Sequence, residues 1–135
     1  MDFDLSGRSE AWLEKLQTFF DHEVLPRHRA WLAHVAKGEA APFMGDLQSK
    51  ARAAGLWNLG LPELADDEPG TRLSNLEYAP LAEIMGRVIW AVEVFNCNPP
   101  DAGNMELLYH YGNAEQKEKW LKPTKRIVGS NKEKR

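Results

Sequence analysis

Residues 95–123, FNCNPPDAGNMELLYHYGNAEQKEKWLKP, hold the two clearest helix signals of the chain and decide its fold. Asp101 follows Pro99 and Pro100 directly. Its carboxylate is expected to cap a helix, accepting from first-turn amides at the positive end of the dipole. Met105, Leu108 and Tyr111 recur at intervals of three and fall on one face of that helix. Gly112 is expected to stop it as a left-handed C′ residue, a conformation that costs glycine nothing. Asn113 can cap the next helix at once, with Gln116 as the reciprocal capping-box partner. Trp120 and Leu121 form the apolar side of this second helix, and Pro123 is expected to end it.

Upstream, Leu73 to Tyr78 is a strong start signal. Ser74 is the N-cap, Glu77 the reciprocal partner at N3, and Leu73 and Tyr78 the hydrophobic staple. Leu81, Ile84, Met85 and Val88 continue an apolar face, with a bend expected at Pro80, which lacks a backbone donor. Residues 88–95, VIWAVEVF, are β-branched and aromatic, so propensity alone leaves helix and strand open. Further back, Trp12, Leu13, Leu16, Phe19, Phe20 and Val24 make a wide apolar stripe on a helix that Ser9 is expected to begin. Pro26 predicts a kink or a fresh start, and Gly38 an end. Pro42 suits the first turn of a helix carrying Phe43, Leu47, Ala51 and Ala54, which Gly55 closes as C′ residue. Residues 56–62, LWNLGLP, are expected to run extended. Residues 62–72, PELADDEPGTR, have no period and read as a solvated loop without the register of a calcium site.

These elements predict an all-α fold of about five or six helices, packed as an orthogonal or up-down helical domain without a sheet. At 135 residues, 43% hydrophobic and 27% charged, the chain suffices for one domain with its own core. No run approaches the roughly 20 apolar residues of a membrane span, and residues 1–10 are acidic and polar, unlike a leader. Cytoplasm is the default location, and the single cysteine, Cys97, fits a reducing compartment. Nine of the 17 Lys/Arg but 18 of the 20 Asp/Glu precede Gln116, so an acidic body carries a basic tail. An acidic body is a poor partner for nucleic acid.

No constellation of a self-sufficient enzyme is present. His22, His28 and His34 recur every six residues, a spacing that rotates them around a helix instead of gathering them on one metal. His110 sits where a cation favours a helix C-terminus. Cys97 has no sequence neighbour to lower its pKa and reads as a small buried hydrophobe. The five tryptophans read as core anchors. Glu77, Glu83 and Glu93 are the helical acids near apolar segments, and Glu77 is already assigned to a cap. The catalytic set is therefore empty.

The run NPPDAGNMELLYHYGNAEQKEKWLKP resembles the end of the N-terminal helical domain of the acyl-CoA dehydrogenase family, where YG-x-x-x-QK-x-x-W/Y-L-x-P precedes a flavin-contacting strand domain. ARAAGLWNLGLP at 51–62 and NLEYAPLAEIMGR at 75–87 resemble the same domain in the same order. The resemblance covers roughly residues 1–123. It implies a part in the α,β-desaturation of acyl-CoA thioesters, in which a carboxylate base removes the α-proton and hydride passes to FAD. The base and much of the flavin contact lie in strand and C-terminal helical domains that this chain lacks, so the chain alone is expected to be inactive. The resemblance also brings acyl-CoA and those two domains as partners, and allows a homo-oligomer. It assigns part of the acyl-chain wall to Phe95, Asn96, Pro99, Asp101 and Asn104, although Pro99, Asp101 and Asn104 equally suit the shaping and capping of a turn. After Pro123 the pattern is lost, because TKRIVGSNKEKR is too short and too polar for the family's next strand. Residues 124–135 are expected to form a tail, disordered beyond about Lys125. A free-standing helical interaction module is the alternative reading.

Overall fold

The computed structural model describes residues 4–61 and 71–126. Of the solvated loop expected at 62–72, residues 62–70 lie outside the described residues, as does the tail beyond Arg126, while Thr71 is buried with its hydroxyl donating to the Leu59 carbonyl at 3.2 Å, so that end is not solvated. Within them every regular element is helical: α1 Gly7–Phe19, α2 His28–Val35, α3 Met44–Ala53, α4 Asn75–Gly86, α5 Ala91–Val94, α6 Asp101–Tyr111, α7 Ala114–Gln116 and α8 Lys122–Arg126. The expected all-α fold is present. Joined runs reduce these to six helical bodies, because α1 continues into α2 through Phe20–Val24 and Leu25–Arg27, and α7 continues into α8 through Lys117–Leu121.

At Pro26, where a kink or a fresh start is expected, the run is continuous but its hydrogen-bond ladder is irregular. A proline in mid-helix removes one donor, and here the ladder widens to a π turn before it and tightens to a 3-10 turn across it. The Arg27 guanidinium donates to the Glu23 carbonyl beside the break. α1 itself begins earlier than expected: Ser6, not Ser9, is the cap, accepting from the Ser9 amide at 3.1 Å. Ser9 is buried beneath it. α3 starts at Met44, with Pro42 just outside. Gly55 takes φ of +70°, the left-handed closure expected of it, and Gly38, expected only to end its helix, takes the same φ three residues past Val35.

α4 has the expected capping box. Ser74 Oγ accepts from the Glu77 amide at 3.3 Å, and the Glu77 carboxylate accepts from the Ser74 amide at 2.9 Å. The helix runs unbroken through Pro80. Of residues 88–95 only Ala91–Val94 is regular helix, and the corner before it is a turn. Residues 56–61 are not extended: they form bends and turns, with Asn58 left-handed at φ 57°.

The C-terminal hairpin departs from the sequence reading at three points. Asp101 is the first residue of α6, not its cap; the cap position is Pro100, which offers no side-chain acceptor. Gly112 has φ −69° and ψ 138°, which is extended and not left-handed. Its reason is space, because a Cβ there would lie 2.5 Å from the Leu108 carbonyl oxygen. Pro123 does not end the second helix, which passes through it to Arg126 while the Thr124 hydroxyl donates to the Trp120 carbonyl at 2.8 Å. The Asn113/Gln116 capping box is as expected.

Packing produces two apolar clusters. The main one draws Leu16, Phe20 and Val24 from the first run, Leu47 and Ala51 from α3, Leu81, Ile84 and Met85 from α4, and Val94 and Phe95 from the α5 end. A small one joins Leu61, Met105 and Leu121, with Leu108 and Tyr109 at its edge. Only Met105 and Leu108 of the expected α6 face point inward, since Tyr111 is 82% exposed. Leu121 is buried, whereas Trp120 is exposed.

Candidate functional site

The five residues assigned to an acyl wall lie on one continuous segment between α5 and the first turns of α6. Phe95 is fully buried, its ring edge-on to Phe19 at 5.7 Å between centroids. Its carbonyl accepts from the Asn58 amide at 3.0 Å. Asn96 is also buried and left-handed, with φ 57°. Its Nδ2 donates to Asn58 Oδ1 at 2.6 Å and lies 3.4 Å from the Thr124 carbonyl and 3.5 Å from Met105 Sδ. The chain then turns outward through the cis Pro99–Pro100 bond. Pro99 and Asn104 are exposed, and Asp101 is half-buried. The structure thus divides the five: two are set into the domain, and three stand at or near its surface.

Glu93, two residues before this segment, has its carboxyl pushed up, first by desolvation and then by the charge of Asp101. Two acids therefore face the same rim. Cys97 packs against the main core, and burial pushes its thiol up, which keeps it protonated and unreactive. The neighbouring Tyr78 phenol is pushed up for the same reason. The histidines are separate, as expected: His22 is exposed, His28 accepts from the Trp90 indole, and His34 meets Glu39. Among the described residues no three side chains suited to a metal converge.

Asn58 is the residue that sequence reasoning missed. It lies 38 positions from Asn96, so no local pattern links them. The available signal was a lone amide inside the apolar run LWNLGL, since a buried amide requires a partner.

An open groove of about 890 Å3 lies elsewhere, between α1 and α4. Its charged lining is Glu10, Glu14, Glu83 and Arg87, a balance unsuited to the phosphates of a nucleotide. The described residues also do not fit a flavin pyrophosphate by themselves. Such a group needs free amides at a helix N-terminus. Here Ser6, Ser74 and Asn113 each take up one first-turn amide of α1, α4 and α7. The starts of α3, α5 and α6 carry Asp46, Glu93 and Asp101 in the first turn. No helix in the described residues is long and apolar enough to cross a membrane.

Comparison with known proteins agrees with this helical arrangement. The family model described as acyl-CoA dehydrogenase, N-terminal domain, matches residues 6–126. Acyl-CoA dehydrogenase family member 10 of Mus musculus is 45% identical over 115 residues, which is 82% of this chain and 11% of that protein. FadE2 of Mycobacterium tuberculosis, assigned as an acyl-CoA dehydrogenase, is 37% identical over 132 residues, 91% of this chain and 30% of the relative. A solved Mycobacterium abscessus chain with the same assignment superposes with a TM-score of 0.79 at 48% identity, over 90% of this chain and 32% of its own. The chain therefore spans less than a third of the length of each of these relatives. By the match of nearly its whole length and by its helical fold, this chain belongs to the acyl-CoA dehydrogenase family, as its N-terminal domain.

Proposed function

We propose that this domain is the N-terminal part of a flavin-dependent acyl-CoA dehydrogenase, and that it supplies one wall of the acyl-chain cavity through residues 95–104. The observation that carries the reading is the two-sided character of that segment. Phe95 and Asn96 are locked into the domain, while Pro99 and Asn104 are left exposed beyond them. A wall needs a fixed back and a free front. Desaturation itself belongs to the remaining domains of such an enzyme, because among the described residues no carboxylate is set in an enclosed pocket and each separate helical run starts either with a side-chain cap or with an acid in its first turn. The domain boundary falls near residues 123–126, with the basic tail outside it.

The test is Asn104→Trp in the complete flavin-loaded enzyme, read as KM across a series of acyl-CoA lengths. Added bulk at the wall raises KM for long chains relative to short ones. An unchanged length profile overturns the reading.

A second reading is a helical interaction module. It is favoured by Leu107, Tyr111 and Trp120, which are 58, 82 and 56% exposed. Where such groups form one contiguous patch, it marks an interface. In the first reading the same groups meet the neighbouring domains.

A further inference from the structure

A left-handed backbone is uncommon for any residue other than glycine, and asparagine tolerates it because its short amide can bond locally. Two such asparagines meet inside this domain: Asn58 and Asn96, each at φ 57° and each buried. Glycine would meet both backbone demands with less strain. What asparagine adds is the side-chain amide, and burying an amide is unfavourable unless it is bonded. Both amides are bonded, to each other at 2.6 Å. The Asn96 amide also faces the Thr124 carbonyl and Met105 Sδ, so one group touches three separate segments. A parallel backbone bond runs from the Asn58 amide to the Phe95 carbonyl at 3.0 Å.

The pair sits where the two apolar clusters adjoin. Phe95 belongs to the main cluster and Met105 to the small one. Residues 96–104 bridge them, so the offset of α6 from the main core depends on how residue 96 is held. The front of the segment, Pro99 and Asn104, moves with it.

We propose that Asn58 and Asn96 are positioning residues for the acyl-chain wall, setting the depth at which Pro99 and Asn104 stand. This rests on the wall reading above. Neither asparagine touches the reacting atoms. Their loss therefore changes how long an acyl chain is accepted, while leaving the chemical step alone.

The experiment measures KM and kcat for a short-to-long acyl-CoA series on the complete flavin-loaded enzyme. Asn96→Gly and Asn58→Gly keep the left-handed backbone and delete the amide bond. Each is expected to raise KM for long chains about five- to tenfold, the equivalent of one ordinary hydrogen bond, with kcat held within about twofold. A lowered thermal midpoint with an unmoved length profile in both glycine variants makes the pair purely structural and overturns the proposal. If Asn104→Trp moves the profile and the glycine variants do not, positioning fails and the wall stands. If none moves it, the wall reading has failed and takes the pair with it. Should Asn96→Gly not fold, Asn58→Gly decides alone.

Discussion

The Trp90 indole N–H donates to His28 Nδ1 at 3.1 Å, tying the corner before α5 to the start of α2 across 62 positions. Trp31 stacks on both rings, at 6.0 Å from Trp90 and 6.5 Å from His28. His28→Ala leaves the indole N–H without its acceptor in a partly buried place, and is expected to cost about 1–2 kcal/mol. His22→Ala, at an exposed position of the preceding π turn, is expected to change stability by less than about 0.5 kcal/mol. Urea unfolding of the two variants checks the contrast, and equal effects would refute it.

Ser74→Ala is expected to destabilise the domain by about 1 kcal/mol, because it strips the acceptor from a first-turn amide of α4 while leaving the core untouched. Thermal or urea unfolding measures it. No change within error would mean that the box bonds are idle in solution.

The same box predicts an acid dependence. The Ser74 amide, followed by its hydroxyl, holds the Glu77 carboxyl below the usual carboxylate range. A lowered folded pKa gives stability that is complete above the unfolded value and lost as pH falls through the folded one. Wild type is therefore expected to exceed Glu77→Ala in stability at neutral pH, with the gap narrowing in acid. A gap of constant size down to strong acid rules this out.

Two glycines are expected to respond with opposite signs. Gly112→Ala drives a Cβ to 2.5 Å from the Leu108 carbonyl oxygen and should cost about 1–3 kcal/mol. Gly45→Ala in α3 meets nothing within 4 Å and should gain about 0.5–1 kcal/mol from helix propensity. Melting curves of the pair test whether crowding, and not backbone conformation, selects glycine at the 112 corner.

Purified alone, residues 1–135 are expected to retain no flavin, since each free helix start carries an acid in its first turn. Visible absorbance of the purified chain is the measurement. A stoichiometric flavin band would refute the expectation and locate a phosphate site within this domain.

What could be read from sequence was local. The Ser74/Glu77 and Asn113/Gln116 boxes each span three residues, and both formed as expected. The irregular ladder at Pro26 and the left-handed closure at Gly55 are likewise single-residue effects. Errors came where a local signal had two outcomes. Gly112 stops its helix by lack of space and not by a left-handed turn, and Pro123 lies within a helix instead of after one. Asp101 lost the capping role when the helix began one residue earlier than expected. The Asn58–Asn96 bond was out of reach because it depends on two distant turns being left-handed at once. Family resemblance pointed to residues 95–104, but not to which of them face inward.

The unequal size of the two apolar clusters bears on how the molecule comes apart. Among the described residues Leu61, Met105 and Leu121 are the buried members of the smaller one, against sixteen in the other. Cooperative units with little buried apolar contact open at a lower free energy than the whole. The α6–α8 hairpin is therefore expected to exchange its helical amide hydrogens before those of the α1–α5 body, a difference that amide hydrogen exchange measures, with the Asn96 side chain among the contacts broken on opening.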